Sequence, residues 1–113
     1  MVLFIYGGLK KPEWMREYHL RFVKNWQTRG EARVRPGTHD PAAKFGRSYA
    51  RRVRGWIVLC PMDELAHIAE MEAPQYKLQK LSNQANGQDV YSFSSTAGPK
   101  EFETWPLIRG SLE

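Results

Sequence analysis

Two short stretches of the chain bring together the residue types that catalysis needs. Tyr6-Gly7-Gly8-Leu9 follows an apolar run, and Glu72 stands just before Ala73-Pro74, where a helix must stop. A strand ending in two glycines leaves several backbone N–H groups free to face one spot. Such a concave set of donors holds a carboxylate or an oxyanion. On these residues alone, a tight turn whose glycines merely satisfy geometry is the favoured reading. Glu72 falls at a helix C-terminus, whose partial negative charge disfavours an ionised carboxylate, and partial burial would push its pKa the same way. A glutamate poised nearer neutrality suits general acid–base work. Glu70 belongs to a different face of that helix and reads as solvated.

The other reactive types give weaker patterns. Gly7-Gly8-Leu9-Lys10-Lys11 has neither the bracketing glycines of a phosphate loop nor the three glycines of a dinucleotide fingerprint. His19, His39 and His67 are scattered, and Cys60 has no second cysteine, so no metal site is expected. His39-Asp40 has the types of a base with its orienting carboxylate, but no nucleophile is marked for it and it reads as a polar loop. Cys60 reads as a packing residue. Lys44, Arg47, Arg51, Arg52 and Arg54, with Tyr49 among them, suit a phosphate backbone with a stacked base. A solvated, charge-protected edge strand explains them equally simply and is favoured. Nucleic acid therefore stays as an alternative partner.

Composition bounds these choices. A chain of 113 residues, 42% apolar and 12% aromatic, is long enough for one domain, taken as 1–113, with a real core. One cysteine allows no internal disulfide and points to a reducing, cytoplasmic setting. The net charge of +5 favours anionic partners by steering alone. Met1 to Tyr6 is too short for a signal-peptide core, and no apolar run nears the ~20 residues that span a bilayer, so no membrane partner is expected.

The elements that must position Glu72 and the glycine turn follow from periodicity. Val2 to Tyr6 predicts a buried strand. Residues 12–26 are expected to be helical from Pro12 and a partly periodic series through Trp26, with Gly30 as punctuation and a short strand from Glu31 to Val34. Arg35 to Gly46, with two prolines and two glycines, predicts a loop. Tyr49 to Leu59 predicts a strand with Gly55 as a bulge or close-approach site. A second helix starts after Pro61 and turns Leu65, Ile68, Ala69 and Met71 inward. Tyr76 to Leu81 and Val90 to Phe93 pair across an Asn86-Gly87 hairpin, and a short helix is expected within 100–108, before Gly110. The sum is an α+β fold, a mixed, mostly antiparallel sheet or small barrel with flanking helices.

Together these motifs resemble the gamma-glutamylcyclotransferase-like (AIG2-like) family. Tyr6-Gly7-Gly8-Leu9 is similar to its Tyr-Gly-Ser/Thr-Leu signature, and Gly30 followed by Pro41-Ala42-Ala43 to its glycine and Pro-small element. Val53 to Val58 resembles its Val-x-Gly-Glu-Val-Tyr strand. Ile68-Ala69-Glu70-Met71-Glu72 resembles the helix end that carries its acid–base glutamate, with Tyr76 and Val90 to Phe93 in the places of its later tyrosine and closing strand. Gly8, Ala69 and Trp56 depart from the family's Ser/Thr, Asp and Glu. The resemblance implies release of 5-oxoproline from a small gamma-glutamyl amine or amino acid, with Glu72 catalytic and no cofactor or metal. It places Tyr6, Gly7, Gly8, Leu9 and Tyr76 around the substrate. An inactive binding module on the same fold is the other outcome it allows.

Overall fold

The apolar run that opens the chain forms β1 (Val2–Ile5), with all four side chains buried. The computed structural model describes residues 1–108, so Gly110 and the end of the expected domain lie outside the described residues. After β1 come a single 3-10 turn (Gly8–Lys10), α1 (Pro12–Glu17), β2 (Arg21–Val34), β3 (Pro41–Phe45) and β4 (Arg52–Leu59). Then follow α2 (Met62–Glu72), β5 (Tyr76–Ala85), β6 (Gln88–Ser95) and α3 (Pro99–Glu103). The strands form one sheet in the order β3-β2-β4-β1-β6-β5. Only β1 and β6 pair in parallel; the other neighbours are antiparallel, as the α+β reading expects.

β1 has core on both faces because successive side chains alternate across a strand. Val2 and Phe4 join Ala32, Ala43, Val53, Ile57 and Val90 in the concave interior. Leu3 and Ile5 face the other way, toward Leu65 and Ile68 of α2. The sheet curls until its two edges meet. The Tyr76 hydroxyl on β5 donates to the Pro41 carbonyl on β3 at 2.8 Å, and Lys44 Nζ donates to the Ser95 carbonyl at 3.4 Å. The result is nearly a barrel. Phe102 of α3 and Trp105 close one end against Ala42.

Several sequence expectations need correction. Residues 21–26 are strand: α1 stops at Glu17, His19 takes a positive φ of 54°, and β2 begins at Arg21. From Trp26 onward, Thr28, Gly30 and Ala32 are the inward residues, a period of two that the aromatic spacing before them disguises. Gly30 lies inside this strand, not at its start. The expected loop 35–46 contains β3, whose Pro-Ala-Ala start has little strand propensity and is held by pairing with β2. A proline is tolerated there because β3 is a sheet edge. β4, by contrast, lies between β2 and β1 and is not an edge. Met71 is 45% exposed instead of inward, and its sulfur accepts a hydrogen bond from the Tyr18 hydroxyl. The last helix ends at Glu103, after which the chain extends and the Val34 N–H bonds the Pro106 carbonyl.

Other expectations hold. α2 runs from the residue after Pro61 to Glu72, and Asn86 and Gly87 both adopt positive φ in the hairpin between β5 and β6. Gly55 is a close-approach site: a Cβ there would run into the Ile5 carbonyl oxygen of the neighbouring strand. Gly55→Ala should therefore cost more than about 3 kcal/mol or prevent folding. Gly8→Ala, with nothing within 4 Å of its added Cβ, should change stability by less than about 0.5 kcal/mol. Denaturant titration of the two variants checks both.

Candidate functional site

One cavity of about 310 Å³ gathers all the expected site residues: Tyr6, Gly7, Gly8, Leu9, Glu72 and Tyr76 line it. β1 delivers Tyr6 and the turn, and the last residue of α2 delivers Glu72. The turn differs from the simplest expectation. Gly7 has φ −136° and ψ −134°, outside the helical and extended regions but not left-handed, and an added Cβ would press on the Pro41 ring at 3.1 Å. Lys10 and Lys11 donate backbone bonds to the carbonyls of Gly7 and Gly8, both at 3.0 Å. The N–H groups of Gly8 and Leu9 open this turn and have no carbonyl within it to bond.

The two tyrosines are committed to the fold. The Tyr6 hydroxyl donates to the Phe93 carbonyl at 2.6 Å and accepts the Ala43 N–H at 3.1 Å. Burial, with Tyr76 close by, pushes its ionisation far above the ordinary tyrosine range. Burial also pushes Tyr76 up to about 12 against the opposing Arg35 charge, and its hydroxyl is held by Pro41. Both are therefore neutral walls of the cavity at physiological pH, with their protons already placed.

Glu72 is in the opposite condition. Among the described residues its carboxylate has no ion-pair partner. Burial raises its pKa above the ordinary glutamate value, the Asp40 charge adds to this, and Arg35 works against it. A half-buried, unpaired carboxylate of this kind takes up and gives back a proton readily.

Arg35 and Asp40 are the cavity residues that the sequence reading did not place there. They flank the β2–β3 connection, with Arg35 Nη2 donating to Asp40 Oδ2 at 3.2 Å. The only signal was the His39-Asp40 pair, and of these His39 is exposed and outside the cavity lining. The other candidates lie elsewhere. His19 and His67 are less scattered than expected, both reaching Glu64 at 3.1 and 3.3 Å. Even so, no three metal-binding side chains among the described residues are placed to hold an ion. Cys60 is enclosed, and burial pushes its thiol up to about 11, the state of a packing residue. The basic cluster is divided: Lys44 lies on β3, Arg52 and Arg54 on β4, with β2 between them. No helix among the described residues is long and apolar enough to cross a membrane.

Solved structures share this arrangement of strands and helices. An AIG2-like protein from Mus musculus matches with a TM-score of 0.73 at 17% identity, over 95% of this chain and 84% of its own. The chain has the AIG2-like fold. An uncharacterized protein from Pyrococcus horikoshii matches at 0.70 and 16% identity, over 97% of this chain and 86% of its own. A uropathogenic E. coli-specific protein matches at 0.72 and 18%, over 95% and 86%. No protein-family model and no curated protein matches the chain. The AIG2-like fold is thus shown by the three-dimensional course of the chain, in agreement with its motifs.

The side chains of this cavity carry two predictions. Tyr6→Phe removes the acceptor of the Ala43 N–H and the donor to Phe93, and should lower stability by about 1–3 kcal/mol in denaturant titration. Glu72→Gln should have the opposite sign. At low pH the Glu72 carboxyl is neutral in both folded and unfolded chains, and ionisation costs nothing. As pH rises from the unfolded value through the raised folded one, the wild type loses stability that the glutamine variant keeps. The variant's melting temperature should exceed that of the wild type at pH 8, and the two should converge toward pH 4. A difference independent of pH would contradict this electrostatic assignment.

Proposed function

We propose that the chain is a gamma-glutamylcyclotransferase-type enzyme, releasing 5-oxoproline from a small gamma-glutamyl amine or amino acid. The observation that carries this reading is an unpaired, half-buried glutamate with a raised pKa sharing one cavity with a turn of open backbone donors. The cavity volume of about 310 Å³ suits a small molecule. The AIG2-like fold agrees with it.

In this reaction the substrate's own α-amine attacks its γ-carbonyl. A new C–N bond closes the five-membered ring, and the bond to the leaving amine breaks. Because nucleophile and electrophile belong to one molecule, the protein's task is to fold the glutamyl chain and move protons. Glu72 accepts the proton of the α-ammonium and returns one to the departing amine, so its carboxylate is restored after each cycle. The N–H groups of Gly8 and Leu9 hold negative charge on the glutamyl moiety. Tyr6 and Tyr76 shape the walls with hydroxyls already bonded. The chemistry consumes no cofactor, and a protein with one inert thiol is suited to the reducing cytoplasm.

The test is 5-oxoproline release from a panel of gamma-glutamyl amines, dipeptides and glutathione, read by mass spectrometry. Release from at least one member is expected, falling by at least about a hundredfold in Glu72→Gln. Equal release by the variant would remove Glu72 from the chemistry. Binding with no release from any member would instead identify an inactive binding module.

A further inference from the structure

Arg33 at the end of β2 and Arg35 just past it are two residues apart, and their guanidinium groups are treated very differently. Arg33 is saturated. Its Nε and Nη2 donate to the Glu31 carboxylate, and its Nη1 donates to the carbonyls of Glu103 and Trp105 at 3.0 and 2.7 Å. The Phe102 ring lies 5.5 Å from its Cζ. Arg35 lines the cavity, and among the described residues its buried Nε has no hydrogen-bond partner. Buried guanidinium N–H groups without an acceptor are rare in native folds.

Among the described residues, the one side chain that Arg35 bonds is Asp40, at 3.2 Å, which is long for a charge-assisted bond. Asp40 is 62% exposed, against 26% for Arg35, so this carboxylate lies loosely on a more enclosed cation. The base of Arg35 is fixed meanwhile. Its N–H bonds the Asp40 carbonyl, and its own carbonyl accepts from the Thr38 N–H and hydroxyl. A planar guanidinium with a fixed base, lining the cavity and bonded to one exposed carboxylate through Nη2, matches a second carboxylate in shape and charge. The cavity therefore has two separate means of holding negative charge, the glycine turn and Arg35, and a substrate that uses both carries two carboxylates.

We infer that Arg35 is the specificity-determining residue of this cavity, binding a carboxylate carried by the departing amine. The substrates are then gamma-glutamyl amino acids or peptides, in preference to gamma-glutamyl alkylamines or polyamines. The inference rests on the cyclotransferase reading, in which the glycine turn takes the glutamyl carboxylate. A polyamine would bring positive charge toward Arg35, whose partner carboxylate, Asp40, is already engaged.

Gamma-glutamyl-alanine and gamma-glutamyl-ethylamide differ only by the carboxylate of the leaving amine, so their ratio of kcat/KM isolates this contact. The wild type should favour the alanine compound by roughly ten- to a hundredfold. Arg35→Gln should bring the ratio close to one, and Arg35→Lys should restore part of it. Because a ratio is read, a general loss of stability or catalysis cancels. A wild-type preference for the ethylamide, or an equal ratio in wild type and Arg35→Gln, overturns the assignment. If neither compound is turned over, calorimetric titration with the same two compounds decides separately. Carboxylate-dependent binding lost in Arg35→Gln keeps Arg35 as the anion site while the cyclotransferase reading falls. Binding without that dependence, or none, overturns the Arg35 assignment too.

Discussion

The Tyr6 hydroxyl is the interaction on which the rest of the structure turns. It leaves the end of β1, donates to a carbonyl of β6 and accepts an N–H of β3. β6 is the next strand to β1, but β3 is separated from it by β4 and β2, so this bond crosses the interior of the curled sheet. It needs a neutral phenol that donates and accepts at once, and burial keeps it neutral. One such bond contributes about 1 kcal/mol net, but leaving its enclosed partners unpaired costs more. Tyr76 repeats the device from β5 to Pro41. Together they bring the β2–β3 connection, with Arg35 and Asp40, up to the cavity beside Glu72 and the glycine turn.

That division of labour separates two kinds of polar group. The tyrosines spend their hydrogen bonds on the backbone and hold the walls. Among the described residues, Glu72 has no ion-pair partner, the N–H groups of Gly8 and Leu9 have no carbonyl within their turn, and Arg35 bonds one side chain, through Nη2. Uncommitted polar groups are few in a folded protein because each one costs free energy, and Glu72, Gly8, Leu9 and Arg35 all line one cavity, while the buried Ser94 hydroxyl lies outside it. The departure of Gly8 from the Ser/Thr of the resembled signature leaves this set intact. The donor is backbone, and a side chain at that position would meet open space.

Signals that are local were legible in the sequence. β1 is a continuous apolar run closed by glycines, α2 has a proline before it and another just beyond it, and Asn86-Gly87 supplies the backbone of a tight hairpin. Gly55 was readable as a close approach, though not which backbone approaches it. The first half of β2 was not legible, since Phe22, Val23 and Trp26 fit a helix about as well as a strand; the positive φ of His19 decides between them. β3 was hidden because Pro41-Ala42-Ala43 has little intrinsic strand preference and gains its structure from β2 and the Tyr6 bond. Arg35 and Asp40 were missed for the same reason: only the closure of the curled sheet places that connection at the cavity. Glu72 and the glycine turn could each be picked out alone, but their shared cavity is a property of the fold.

The most direct test of the central claim is an NMR titration of the protein with 5-oxoproline, following the backbone amides and the glutamate side-chain carboxyls. Specific, saturable shifts are predicted at the Gly8 and Leu9 amides and at the Glu72 carboxyl. Saturable shifts that leave these three unmoved and fall elsewhere, for example around Lys44 and Arg52, would place the ligand site outside this cavity and contradict the account.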